Sequence, residues 1–292
     1  MLDDIIDVVI DPNLDSYAKF FDHDWAKKVF ELVENSPLKA AIESLLVSWR
    51  STDGAHQLPW LMVQSMKNLV DGEYKGIIGI RAGYLEQILK GIVNKLETRM
   101  HHNLNHEQRM GLKRVVTKIE KEEFQSLKTA EFQVKLDATA YWNFFTHTPD
   151  FPFCLLGLQG SNYNSLFFAY EDFLAHTIKS REPNYTSKKD PIKDAFARHF
   201  GQLLRDYCWT NAEVELAMLV RHALAHNGGR FGTALEKHKT RFVDHQTVPA
   251  IPILRGDLFI IVDGKIHITP CNTKHLFGIL KERVTKIIEE LA

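Results

Sequence analysis

The segment TNAEVELAMLVRHALAHNGG, residues 210–229, constrains the fold more than any other part of this 292-residue chain. A helix over this segment is apolar on most of its circumference, which is typical of a helix buried in a core. Thr210 or Asn211 can cap its start, and two acids follow in the first turn, where the helix dipole favours them. Asn227 and the two glycines after it are a suitable C-cap, because glycine adopts a positive φ without steric conflict. The apolar positions are 214, 216, 217, 219, 220, 223 and 224.

Periodic apolar residues predict further helices on both sides of this segment, and the fold class is mainly α. The alternation around Asp263-Gly264 in DLFIIVDGKIHITP predicts a β-hairpin. The stretch over 146–164 is rich in Pro, Gly, Thr and Asn, so we place the boundary between two domains there. We therefore expect a helical domain over 1–150 and, over 160–292, a four-helix bundle with a small hairpin. The predicted helices cover 22–36, 37–51, 60–74, a long segment from about 82 onward, 106–127, 165–182, 192–209 and 271–291.

Composition excludes several classes of protein. The formal net charge of −1 disfavours a strongly basic protein that wraps duplex nucleic acid. Cys154, Cys208 and Cys271 form no CxxC pair, which argues against a disulfide framework or a cysteine zinc site and suits a reducing cytoplasm. The N-terminus is acidic where a signal peptide is basic, and the apolar runs are shorter than the roughly 20 residues that span a bilayer. We expect a cytoplasmic protein without a membrane partner, a cofactor or a metal.

Three side chains at the end of the buried helix can do chemistry. Arg221 and His226 lie about 140° apart around an ideal helix, and His222 and His226 share one face. Arginine presents a planar fork that matches a phosphate, and histidine exchanges protons near neutral pH. A base beside a fixed guanidinium can cleave RNA without metal, because it removes the 2′-hydroxyl proton while the cation stabilises charge on the phosphoryl oxygens.

The residues alone favour a plain helix end over an active site. Arginine and histidine are favourable in a last helical turn without any catalytic role. His222 and His226, four residues apart, could hold zinc, but no third ligand is evident in the sequence. A structural cap and an active site therefore both remain open at this point.

The order of these elements resembles the HEPN superfamily, whose name stands for higher eukaryotes and prokaryotes nucleotide-binding domain. Arg221 and His226 match its RxxxxH motif, and RHALAHNGG is similar to the form of many bacterial members. The resemblance covers roughly residues 160–292. It includes the opening helix with YEDFL, the loop before the second helix and the hairpin before the last one. Residues 1–150 carry no such resemblance.

The resemblance implies a fold, an activity and partners. Members are helical bundles that usually dimerise, with two motif helices facing each other across a shared cleft. Active members are metal-independent endoribonucleases of toxin–antitoxin, abortive-infection and other antiviral defence systems. The implied partners are RNA, a second copy of the chain, and an antitoxin or sensor. Some members have lost activity, so a non-catalytic nucleotide- or protein-binding or dimerisation module is the alternative.

Site residues carry over from the family motif position by position. Arg221 would be the phosphate-binding cation and His226 the catalytic histidine. His222 occupies a position that is often polar in members, and Asn227 would support the histidine or only cap the helix. Arg230, just after the double glycine, is a candidate for a second phosphate contact.

An acidic or polar residue of the first bundle helix often lines the cleft in this family. In YEDFL the candidates are Glu171 and Asp172. We favour Glu171, since Asp172 could equally face solvent.

Overall fold

The computed structural model describes residues 14–69, 105–118, 151–244 and 255–291, with 83, 87, 90, 91, 138 and 141–143 in addition. The described chain is mainly helical with one small sheet, which confirms the predicted fold class. Residues 58–69 are also helical, and short 3-10 helices cover Leu14–Tyr17 and Thr233–Arg241. The helices are α1 His23–Leu32, α2 Lys39–His56, α3 His106–Lys118, α4 Phe151–Lys179, α5 Ile192–Phe200, α6 Gln202–Cys208, α7 Ala212–His226 and α8 Pro270–Leu291.

The sheet contains the predicted hairpin and one further strand. The strands are β1 Phe242–Asp244, β2 Phe259–Val262 and β3 Lys265–His267, in that spatial order. β2 and β3 pair antiparallel, and the connecting residues Asp263 and Gly264 have φ of 50° and 72°, as a tight type I′ turn requires. The hairpin prediction is therefore confirmed. β1 pairs parallel with β2 and was not predicted, because three residues are too few to show an alternating pattern.

The described residues divide into two compact units. One unit comprises residues from 1–62 and 142–292, and the other comprises residues from 63–141. A boundary between 150 and 160 does not coincide with this division, because α2 packs along α4 within the first unit. Residues 151–164, which lie before the helix predicted from 165 onward, form the first half of α4. Pro152 lies in the first turn, where a residue without an N–H loses no intrahelical hydrogen bond.

The first unit has one core that includes the N-terminal helices. Trp49 of α2 is fully buried and donates its indole N–H to the carbonyl of Leu166 in α4 at 3.1 Å. Its ring meets Phe277 of α8 edge to face, with 5.2 Å between centroids. Trp25 of α1 stacks on Trp49 and donates to the Thr285 hydroxyl at 2.9 Å. α1 and α2 therefore belong to the same core as the C-terminal helices.

The helix predicted over 192–209 is two helices, broken at Gly201. Gly201 has a φ of +91°, so the chain changes direction between α5 and α6. After the break, the carbonyl of Cys208 accepts a hydrogen bond from the Tyr170 hydroxyl at 2.7 Å inside the core. The apolar periodicity continues across the break, which is why the sequence alone does not reveal it.

Gly201→Ala should destabilise the first unit. Its φ is one that L-residues rarely adopt, and such strain typically costs about 1–3 kcal/mol. Gly157→Ala is the matched control, because an added Cβ in α4 meets no atom within 4 Å and alanine favours a helix by roughly 0.5–1 kcal/mol. Urea unfolding should place the two midpoints on opposite sides of the wild-type midpoint. A Gly201→Ala chain as stable as wild type would contradict the structure at the break.

His56, the last residue of α2, is buried against aromatic side chains. Its Nε2 donates to the carbonyl of Ser16 at 3.0 Å, and its ring lies beside those of Tyr17 and Phe20. Burial lowers the pKa of His56 to about 4, and the hydrogen bond to Ser16 opposes that shift only in part. The imidazole is therefore neutral in the folded protein at physiological pH.

Stability should fall as the pH drops from about 6.5 to about 4. In this window the unfolded chain, with an ordinary histidine pKa of about 6.5, binds a proton that folded His56 does not. The free energy of unfolding contributed by His56 therefore decreases by about 1.4 kcal/mol per pH unit, or about 3 kcal/mol in total. His56→Gln should flatten the slope of unfolding free energy against pH by that amount. Equal slopes for the two proteins would show that this histidine is not held neutral.

Candidate functional site

The helix that carries the motif begins and ends as predicted. The Asn211 side chain accepts a hydrogen bond from the backbone N–H of Glu213 at 3.0 Å and caps the start of α7. Gly228 and Gly229 have φ of 59° and 77° after its last residue, and the Gly229 N–H donates to the carbonyl of Ala223 at 2.9 Å. The Gly229 N–H thus shares the Ala223 carbonyl with the Asn227 N–H, and the two bonds close the helix end.

Arg221 forms an ion pair with Glu171 across α7 and α4. One terminal guanidinium nitrogen lies 3.2 Å from Glu171 Oε2, and each side chain is 22% exposed. Asp172 points elsewhere on α4 and pairs with His176, with 3.3 Å between Nδ1 and the carboxylate. Of the two acids that the sequence offers, the structure thus brings Glu171 to the motif arginine.

Two opposing effects act on the pKa of Glu171 in this ion pair. Burial raises the pKa of Glu171 above its usual range, and the Arg221 guanidinium opposes that rise. The two effects are the desolvation of a carboxylate and its attraction to a nearby cation. The arginine is therefore held in position by the Glu171 carboxylate.

An open groove of about 600 Å³ lies between α2, α4 and α7. Arg221 and Ala225 line it from α7, and hydroxyl and amide groups from the other two helices add polar surface. Two large apolar side chains in the groove, Val47 and Phe168, are 65% and 61% exposed. The volume is within the range of small-ligand sites. The lining residues are Val47, Ser48, Ser51, Thr52, Asn164, Ser165, Phe168, Ala169, Arg221 and Ala225.

His226 lies at the exposed end of α7, outside the lining of this groove. Its ring is 4.8 Å from that of His222, centroid to centroid, so the two imidazoles form an exposed pair. Within one chain, the structure places Arg221 in the groove and His226 at the helix end. The five-residue spacing explains the separation, since it turns the two side chains about 140° apart.

The remaining predicted residues lie at the surface after α7. Asn227 is the C-cap, with its backbone N–H on the carbonyl of Ala223 at 3.0 Å. Arg230 is exposed, and its backbone forms an isolated bridge with Lys265 of the hairpin. The hairpin therefore fixes the backbone that follows the double glycine and leaves the Arg230 side chain in solvent.

Sequence reasoning missed the part of the site that comes from α2 and α4. Ser48 and Ser51 are far from the motif in sequence, and nothing in the local pattern marks them as site residues. A signal was present on α4, where Asn164, Phe168 and Glu171 follow one helical stripe at spacings of four and three residues. A polar and an aromatic residue in line with the acid indicate a face that does not serve the core alone.

No protein-family model matches this chain, and neither does any curated protein or solved structure. Among the residues that the structure describes, no three His, Cys, Asp or Glu side chains are grouped so that they could hold a metal ion. No helix in that part of the chain has an apolar stretch long enough to cross a membrane. Functional inference therefore depends on the side chains around Arg221 and His226.

A double-mutant cycle should detect the pair between Arg221 and Glu171. Partly buried ion pairs lie between exposed and buried ones in strength, so Glu171→Gln and Arg221→Gln should show a coupling of about 1 kcal/mol in urea unfolding. Asp172→Asn combined with Arg221→Gln is the control, and its coupling should be near zero because Asp172 pairs with His176. Equal coupling for both acids would contradict the assignment of Glu171.

Proposed function

We propose that this chain is a metal-independent endoribonuclease of HEPN type, acting as a homodimer through its C-terminal residues. The observation that carries the proposal is the pair of Arg221 and Glu171 at an open groove, with His226 exposed on the same helix. The order of α4, α5–α6, α7, hairpin and α8 also supports it, since the family resemblance implies a bundle with these parts.

The chemistry divides between a cation and a proton carrier. Arg221 binds the scissile phosphate with the donors that Glu171 leaves free, and it stabilises negative charge on the phosphoryl oxygens. His226 removes the proton from the ribose 2′-hydroxyl, and the 2′-oxygen forms a bond to phosphorus. The bond from phosphorus to the 5′-oxygen breaks, and that oxygen receives a proton from a second imidazole. The products are a 2′,3′-cyclic phosphate and a 5′-hydroxyl.

A second copy of the chain would complete the cleft. His226 and Arg221 occupy different surroundings within one chain, so a phosphate held by one α7 needs an imidazole from elsewhere. An α7 facing its symmetry mate can supply that imidazole, with His222 beside His226 as a further donor. Asn227 and Arg230, exposed after the helix end, would then border the same cleft.

The biological setting belongs to the same proposal. A nuclease of this type would act in the cytoplasm in a defence, abortive-infection or toxin-like system. An antitoxin or sensor would hold it inactive until a trigger arrives. The N-terminal residues would recognise that trigger, a partner or the substrate.

A non-catalytic module is the second candidate. The separation of His226 from the groove within one chain favours it, because binding at Arg221 needs no histidine. In this case the groove would take up a nucleotide or a protein segment, and α7 would serve dimerisation.

Cleavage of total RNA in EDTA tests the first candidate. Wild type should cut RNA and leave 2′,3′-cyclic phosphate ends, whereas His226→Ala and Arg221→Ala should each lose at least about 100-fold in rate. His176→Ala is the matched control, since His176 is an exposed histidine of α4 that pairs with Asp172 outside the groove. It should cut at the wild-type rate. Wild type that binds nucleotide at high protein concentration yet leaves RNA intact would favour the module.

A further inference from the structure

The α4 face in the groove has an unusual aromatic residue. Phe168 is 61% exposed, whereas its neighbours Leu166, Phe167 and Tyr170 are fully buried. Val47 of α2 is exposed in the same groove. An exposed phenyl ring in a concave site offers a flat surface on which another ring can stack.

Small side chains keep the space beside this ring open. The groove takes serines from α2 and α4 and alanines from α4 and α7, and none of them is large enough to fill it. The cleft is therefore wide enough for a planar group to lie against Phe168. These residues are Ser48, Ser51, Ser165, Ala169 and Ala225.

Asn164 adds a polar group that lacks a partner. Its Oδ1 is shielded from solvent and makes no hydrogen bond with the residues that the structure describes, although Asn164 lines the groove. Asn164 as a whole is only half-buried, so a turn of its amide would bring a hydrogen-bonding group to a ligand in the groove. An asparagine amide can offer an acceptor or two donors, which matches the edge of a nucleobase.

Arg221 of α7 pairs with Glu171, which lies at the other end of the α4 stripe that contains Asn164 and Phe168. Its partner Glu171 follows Phe168 by three residues, about 4.5 Å along the axis of α4. The ion pair uses one terminal nitrogen of the guanidinium, and the other donors make no hydrogen bond within the described residues. Phe168, which offers a surface for a planar ring, and Arg221, a cation that can bind a phosphate, therefore line the same groove.

We propose that this groove holds one nucleotide of single-stranded RNA, with its base on Phe168, its base edge at Asn164 and its phosphate on Arg221. The inference rests on the proposed nuclease function and specifies its substrate site. Stacking and hydrogen bonds to the base edge require an unpaired base, because a duplex buries both base faces and the pairing edge. Phe168 then supplies affinity for any base and Asn164 sets base preference, and α2 of the N-terminal part forms one wall of the site.

Binding is measured separately from cleavage in a His226→Ala background. The probes are fluorescein-labelled octauridylate and octaadenylate, followed by fluorescence polarisation at fixed salt. Phe168→Leu should weaken binding of the preferred probe by about tenfold, since stacking of one base on an aromatic ring is lost. Phe168→Tyr should retain the affinity because it keeps a ring. Leu203→Ala is the matched control, as Leu203 lies outside the groove on α6 and is 87% exposed.

Asn164→Ala tests the base edge in the same assay. It should reduce the ratio of the two probe affinities, whereas Phe168→Leu should weaken both probes. An unchanged ratio would overturn the assigned role of Asn164. Thermal melting of each variant shows that a loss of binding does not come from unfolding.

The outcomes separate this inference from the nuclease proposal. If Phe168→Leu binds as tightly as the Leu203→Ala control, or if neither probe binds, the groove is not the nucleotide site, and cleavage by wild type would still support the nuclease. If wild type leaves RNA intact while binding depends on Phe168, the groove inference stands and the nuclease proposal fails.

Discussion

The packing of α2 against α4 is the contact on which the rest of the first unit depends. α4 is 29 residues long, and its second half buries side chains against α2, α7 and α8 together. The indole of Trp49 fixes the contact, because it is fully buried and its N–H is bound to a carbonyl of α4. Where the facing side chains of α2, α4 and α7 are mostly small, helices packed in this way leave a groove between them. The groove is therefore a product of core packing rather than of a mobile loop.

Local signals explain which elements could be predicted. α7 has an Asn cap, an apolar body and two glycines, and the hairpin has Asp263-Gly264 between alternating residues, so both are encoded within about 20 residues. The start of α4 was missed because Pro152, Gly157 and Gly160 are typical of loops. In the structure the proline falls in the first turn and the glycines are carried by a long helix. Tertiary packing outweighs weak local propensity here.

The residues of the candidate site could also be predicted only in part, because some of them are distant from the motif in sequence. The resemblance pointed to Arg221, His226 and an acid of the YEDFL segment, and only the phase of α4 decides between Glu171 and Asp172. The contribution of α2 could not be predicted, since it comes from residues more than 100 positions before the motif. The separation of Arg221 from His226 could not be predicted either. Helical spacing fixes the angle between two side chains but not which neighbouring element covers each of them. A motif predicts which residue types take part, and packing determines which of them share a cavity.

The shared core also limits how the chain can be divided. A fragment cut between residues 150 and 160 would sever α4 near its start and strip away α1 and α2. The apolar faces of Leu166 and Phe277, which the indoles of the N-terminal helices now cover, would then meet water. Such a fragment would be prone to aggregation, so the motif helix cannot be transplanted with its bundle alone.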